Sequence, residues 1–262
     1  MTRRALMLAV SVLLVLPVVL LALLSVSRHW SWPVLLPHAW QWTQWRELLA
    51  GQADLCAVLL RSLGISVSVG LLATGLAFPT SRAVARHRQR GRLLALSHIP
   101  FALSPVVLGV ALLYGFMQLG LAGHIIGVVA AQLIFAYAYA VILLSGFWNE
   151  RVHALAALAG TLHANRWQVW RHVLFPVARP MLGVCFFQTF LVSWFDYALV
   201  LLIGGGQVTT LTMRLYGYFG SGDLRLAATC ALLLLLPPLV ALVVHHRLPA
   251  TAVAVHFEVS RE

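Results

Sequence analysis

The chain contains no lysine: all 18 of its basic residues are arginine. Acidic residues are also scarce, seven in 262 positions, and charged residues of both signs make up only 10%. A soluble domain carries roughly 25%, so the shortage excludes a surface that is mostly wetted. A net charge of +11 would point to nucleic acid in a soluble protein. Here most of the arginines flank apolar runs, the pattern expected of cytoplasmic loops, and no nucleic-acid partner is expected. Cysteine is limited to Cys56, Cys185 and Cys230, far apart and in or beside apolar runs. They read as isolated buried thiols without metal-ligand spacing.

Motifs of catalysis are missing as well. There is no HExxH pair, although His245 and His246 are adjacent and His153 and His163 are ten apart. Neither spacing suits zinc on a helix face. No Ser-His-Asp order with a nucleophile elbow occurs. No Walker motif occurs either, so the chain is not expected to be an enzyme or to bind a cofactor of its own.

What is present is apolar. Hydrophobic residues make up 61% of the chain. A spanning helix needs about 20 apolar residues, and six such runs are expected at about 5–24, 58–78, 99–119, 125–148, 181–203 and 226–244. The fold class is all-α: a polytopic membrane protein in one transmembrane domain, residues 1–262. The first run follows Arg3 and Arg4 and is longer than the core of a signal peptide, so it is read as a retained helix. Six spans put both termini on one side. The termini and even loops hold 13 arginines and the odd loops five, so both termini are expected in the cytoplasm.

The first outer loop, residues 28–54, holds Trp30, Trp32, Trp40, Trp42 and Trp45 with Pro33 and Pro37. Amphipathic indoles favour the headgroup level, so the loop is expected to lie along lipid; a ligand groove is the sharper alternative. Gly204, Gly205 and Gly206 lack the strand and helix context of a phosphate loop and read as an outer turn. Pro100, Pro105, Pro237 and Pro238 bend two of the spans, as tolerated kinks or as the bends that alternating access uses.

One long polar segment interrupts the apolar runs, residues 149–180. Leu155, Leu158 and Leu162 recur at helical spacing, as do Trp167, Trp170 and Leu174. Between the two stripes, Asn165 followed by Gln168 has the form of a capping box. Pro176 is expected to end the second helix, with Arg166, Arg171 and His172 on the polar side. The pattern predicts two short amphipathic helices meeting at a bend. Such a pair can lie on the inner leaflet or dock in a groove of a partner.

The segment resembles the cytoplasmic signature of ABC-importer permeases, the EAA loop, which forms their coupling helix. Anchored on Pro176, Val173 takes the aliphatic position, and Arg166-Trp167 and Ala178-Arg179-Pro180 fall where the family often has similar residues. The start departs from the pattern. The acidic position falls on Ala157, the following small positions on Leu158 and Ala159, the glycine on His163 and the leucine before proline on Phe175. Glu150 is the nearest upstream carboxylate. Further motifs occur in the family's order. Arg61-Ser62-Leu63, Thr74-Gly75, Phe78-Pro79, Ala83 and Ala85-Arg86 resemble its second-helix pattern. Ile99-Pro100 through Ser104-Pro105-Val106-Val107-Leu108-Gly109 resembles its third helix. Phe195-Asp196-Tyr197, Gly204 to Gly206, Thr210-Leu211 and Leu215-Tyr216 resemble the late pattern of permeases for ferric ion, polyamines, thiamine, phosphonates and sulfate.

The resemblance implies a type I, binding-protein-dependent permease subunit of a bacterial inner (plasma) membrane. Its implied coupling residues are Leu158, Ala159, Leu162, His163, Ala164, Asn165, Arg166, Trp167 and Trp170. Its implied path residues are Asp196, Trp194, Tyr197 and Tyr114. Implied partners are membrane lipid, cytoplasmic ATPase subunits that bind ATP and magnesium, an extracytoplasmic solute-binding protein and a second permease subunit. The eroded motif points to a different chain as that second subunit.

Asp196 is the only carboxylate inside an expected span. A buried membrane acid is functional or held by a structural hydrogen bond, here from Tyr197 or Trp194 of its own segment. Two other readings stay open: an ion-coupled secondary transporter that uses Asp196, and an intramembrane metal enzyme that uses the histidines.

Overall fold

The computed structural model describes residues 3–28, 30, 39–50, 54–161 and 163–247, with side chains at all of these except 3–5, 8–11, 14, 49 and 241–247. Leu162, Trp32, Pro33 and Pro37, and the side chains of His245 and His246, lie outside the described residues.

The described residues are helical, with one isolated antiparallel bridge between Ser27 and Trp40. In chain order the helices are α1 Arg3–Val26, α2 Thr43–Leu49, α3 Asp54–Arg86, α4 Arg90–Ser97, α5 Ile99–Ala102, α6 Pro105–Gln118, α7 Ile125–Ser145, α8 Glu150–Thr161 and α9 Arg166–Gln168. A π-helical turn follows over Val169–Leu174, then α10 Phe175–Trp194, α11 Ala198–Gly204, α12 Leu211–Gly220 and α13 Leu224–Arg247. Among the described residues three continuous helices are long and apolar enough to cross a bilayer: Asp54–Arg86, Ile125–Ser145 and Arg166–Trp194. Shorter apolar helices run over Val15–Val26, Pro105–Gln118 and Leu224–Val240. Each overlaps one of the six expected runs, with Arg166–Trp194 beginning well before the run at 181–203.

The chain forms two compact units. In the first, residues 1–62 and 209–248, α1 and α12 both pack on α13. Leu211, Thr229 and Cys230 form its driest points. Arg61 Nη1 donates to Thr209 Oγ1 at 3.0 Å, and Ser62 Oγ accepts from the Leu211 backbone N–H at 2.8 Å. Gln44 of α2 donates to the Ser25 carbonyl and so pins the tryptophan-rich stretch to the end of α1. Trp40 and Trp42 remain more than half exposed there.

The second unit is centred on residues 63–208, where α10 packs on α7 and α11 packs on both α6 and α7. Val69, Val128, Leu144, Cys185, Thr189, Leu199, Val200 and Ile203 are fully buried. Small residues set the helix spacing, as in membrane bundles. A Cβ on Gly70 would stand 3.0 Å from the Phe186 ring, so α3 and α10 are in close contact. Thr74 Oγ1 lies 3.4 Å from Thr189 Oγ1 in the same interface.

Two expected spans are broken. The third gives way at Leu103-Ser104, where Ser104 turns extended and its Oγ accepts from the Val106 N–H. Pro105 then occupies the first helical position, where its missing N–H costs nothing. The fifth starts earlier than expected, at Phe175, and stops at Trp194 before resuming at Ala198. Gly205 and Gly206 take positive φ (52° and 79°) and close α11, so the three glycines do form a turn.

Pro176 does not end a helix, contrary to the sequence reading; Arg166–Trp194 runs on through it. The physical reason is the π-helical turn just before it. Its wider backbone ring changes which carbonyl faces position 176, so the proline's missing N–H and bulky ring are absorbed without a stop.

Candidate functional site

The polar segment builds a helical hairpin. Asn149 starts α8, its Oδ1 accepting from the Val152 N–H at 3.0 Å, with Glu150 in the first turn where a carboxylate complements the helix dipole. The far end of α8 closes as a Schellman motif: His163 N–H donates to the Gly160 carbonyl at 3.1 Å and Ala164 N–H to the Ala159 carbonyl at 3.2 Å. His163 carries the φ of 59° that this closure demands, the one positive φ outside glycine among the described residues. Asn165 then opens α9 in the expected capping box, its N–H donating to Gln168 Oε1 at 2.8 Å.

The expected stripe of Trp167, Trp170 and Leu174 is divided. Leu174 is 1% exposed and Trp170 is half-buried, whereas Trp167 is 69% exposed. The π turn sets in at Val169 and changes the angular step, so residues three and four apart no longer share one face. On α8, Val152 is buried while Leu158 stands 61% exposed. The hairpin thus keeps Val152, Val169 and Leu174 inward and leaves Leu158 and Trp167 outward. Ala159 and Ala164 are half-buried, and His163, Asn165 and Arg166 are exposed.

Trp170 enters an aromatic cage that the sequence reading overlooked. Its ring meets Phe78 edge-on at 5.1 Å and Trp148 at 6.4 Å between centroids. Phe78 stacks on Trp148 at 5.5 Å, and Phe147 closes the group at 5.0 Å from Trp148. The Arg82 guanidinium lies 4.8 Å from the Trp170 centroid and 5.7 Å from that of Trp148. Trp148 Nε1 donates to Ser81 Oγ at 2.8 Å, and Ser81 Oγ donates to the Phe78 carbonyl at 3.0 Å. The cage joins the end of α3, the residues after α7 and the π turn. Its signal in the sequence was an aromatic at each of the three junctions where an apolar run meets polar residues.

The second constellation surrounds the break after α10. Asp196 Oδ2 accepts from Gln132 Nε2 of α7 at 2.9 Å and from the Val200 N–H at 3.3 Å; Oδ1 accepts from the Leu199 N–H at 3.5 Å. Ser193 Oγ donates to Gln132 Oε1 at 2.7 Å and lies 3.2 Å from Ser66 Oγ of α3. Asp196 therefore caps α11 and ends a hydrogen-bond chain that joins α3, α10 and α7. Gln132, an amide in the middle of an apolar run, is a partner of Asp196 that the sequence expectation, which names Tyr197 or Trp194, does not include. Trp194 is buried and stacks on Phe190 at 5.5 Å, and Tyr197 is half-buried. Tyr114 stands exposed on α6 and takes no part in the chain of hydrogen bonds. Among the described residues, no three His, Cys, Asp or Glu side chains gather as a metal site would need.

Residues 66–251 match a family model described as "Binding-protein-dependent transport system inner membrane component". A ferric transport system permease protein of Actinobacillus pleuropneumoniae is 25% identical over 207 residues, which is 70% of this chain and 29% of that protein. The chain thus spans under a third of that relative's length. A molybdenum transport system permease protein of Mycobacterium tuberculosis is 29% identical over 227 residues, 79% of this chain and 85% of the relative. A spermidine/putrescine transport system permease protein of Haemophilus influenzae is 26% identical over 226 residues, covering 84% and 85%.

Proposed function

Because the chain belongs to the family of binding-protein-dependent transport system inner membrane components, we propose that it forms part of the solute path of an ATP-driven importer and transmits the ATPase stroke to that path. The observation that carries this reading is the exposed pair Leu158 and Trp167 on the hairpin of α8 and α9. A polar hairpin between apolar helices that buries one apolar stripe and leaves a tryptophan outside has the form of a docking element. The family resemblance of the same segment names the partner: cytoplasmic ATPase subunits, which bind ATP and magnesium.

In this reading both termini face the cytoplasm, and an extracytoplasmic binding protein delivers the solute. A second permease subunit, a different chain, completes the path. The relatives are named for ferric, molybdenum and polyamine transport, so one architecture serves chemically unlike solutes. The hydrogen bonds around Asp196 support a structural role for that carboxylate over an ion-coupling one. It is capped by α11 amides and by Gln132, as a helix-organising acid is.

The test is co-expression with the ATPase encoded nearest to this chain, followed by affinity purification from membranes. The wild-type chain retains the ATPase in a fixed ratio. Trp167→Asp leaves the amount of chain in the membrane unchanged and loses at least about 90% of the bound ATPase, a weakening of about 1.4 kcal/mol or more. Undiminished retention by that variant would reject the docking role.

A further inference from the structure

We infer that Arg82 is the positioning residue through which movement of the docking hairpin reaches α3, an inference that rests on the hairpin being the docking element. Pro79 lies inside α3, where it removes one backbone hydrogen bond, and its ring faces the carbonyl four residues back. That residue is Gly75, around which a Cβ would find nothing within 4 Å. The last turns of α3, Thr80 to Arg86, are therefore attached to the rest of the helix through its weakest point.

The cage grips α3 on the far side of that hinge. Arg82 presents its guanidinium to Trp170 at 4.8 Å and to Trp148 at 5.7 Å. Its Nε is buried, with no hydrogen-bond acceptor among the described residues. Indole faces are what offset the desolvation of that cation, and a planar guanidinium can stack on them as an ammonium cannot. Trp170 belongs to the π turn, and so moves with the hairpin that carries Trp167. Trp148 is fixed to α3 by its bond to Ser81. Arg82 is thus a cation clasped between a ring of the hairpin and a ring tied to its own helix. A push on the hairpin swings Thr80–Arg86 about Gly75–Pro79.

The experiment uses the chain with its copurified ATPase in nanodiscs, in a Cys56→Ser background, with spin labels at exposed positions. One pair joins Arg86→Cys and Ala154→Cys, an exposed position of α8 outside the docking pair, the other Leu72→Cys and Arg86→Cys. Mg-ATP with vanadate is the probe. In the otherwise wild-type chain, the Arg86–Ala154 distance is expected to stay fixed while the Leu72–Arg86 distance shifts. Adding Arg82→Gln reverses the pattern: the first distance shifts or broadens and the second no longer responds. Arg82→Lys gives partial recovery. If Arg82→Gln does not accumulate, Trp170→Leu carries the same expectation. An Arg82→Gln trace identical to wild type overturns the role of Arg82 while leaving the docking reading intact. Failure of the ATPase to copurify, or a wild-type chain in which neither distance responds, overturns both.

Discussion

The Gln132 side-chain amide donates to Asp196 Oδ2 at 2.9 Å, across the space between α7 and the break that follows α10. The same amide accepts from Ser193 through its oxygen. One side chain thus holds both the carboxylate and the helix that ends beside it. This arrangement makes the fifth run a broken helix whose second half, α11, starts on its own acid.

The first prediction separates structure from ion coupling at this place. Asp196→Ala removes the α11 cap, worth about 1 kcal/mol, and leaves the Gln132 amide short of a partner, at a further cost of about 1 kcal/mol. Asp196→Asn keeps an acceptor oxygen of similar shape. With the solute named by the neighbouring binding protein, transport by the asparagine variant is expected to stay within about threefold of wild type, under 1 kcal/mol. Uptake assays in proteoliposomes check it; abolition by the asparagine alone would reinstate the ion-coupled reading.

His163 offers a gain of stability. It holds φ 59° at the closure of α8, a conformation that glycine adopts without strain and other residues adopt at about 1 kcal/mol. The family pattern has glycine at this position. His163→Gly is expected to raise the thermal midpoint of the detergent-solubilised chain by about 2–4 °C, and His163→Val to lower it. A lower midpoint for the glycine variant would contradict the Schellman geometry.

The bond between Trp148 Nε1 and Ser81 Oγ is testable by a double-mutant cycle. Ser81→Ala leaves a buried indole N–H unsatisfied, while Trp148→Phe removes the donor. Each is expected to destabilise by about 1 kcal/mol, with a coupling of about 0.5–1.5 kcal/mol between them. Midpoints of denaturant unfolding read both values. Additive effects would mean that the hydrogen bond contributes nothing to fixing Trp148.

Three glycines give an order of tolerance. A Cβ on Gly127 would run into the backbone carbonyl of Leu121, which cannot swing aside. On Gly70 it would press on the Phe186 ring at 3.0 Å, which can yield a little. On Gly75 it would meet nothing within 4 Å. Alanine is therefore expected to abolish the monodisperse peak in fluorescence-detected size exclusion at Gly127 and to reduce it at Gly70. At Gly75 alanine leaves the peak unchanged or stronger, since alanine favours helix by about 1 kcal/mol over glycine. Any other ranking would show that the space beside each Cα does not set these positions.

Much of the candidate site was legible because its chemistry is local. Asn165 and Gln168 lie three residues apart, and a capping box needs nothing beyond that spacing. The division between Trp167 and Trp170 was not legible. It depends on a π turn, and a π turn is stabilised by what the inner residues pack against, not by the residues that form it. Helical periodicity assumes a constant step per residue, and Val169–Leu174 does not keep it. Pro176 was misread for the same reason: a local rule about proline holds only where the helix before it is an α-helix.

By itself the sequence determined the class of molecule. Six apolar runs, scarce acids and arginines gathered at run ends leave an all-α membrane chain as the solution, because backbone polar groups in lipid must be satisfied within each span. The ordered motifs then placed it in its family. Only the tertiary structure decided which side chains meet. Gln132 and Asp196 are 64 positions apart, and Arg82 and Trp170 are 88. A polar or charged group buried far from water must find its partner in space, and spacing along the chain carries no record of which partner that is.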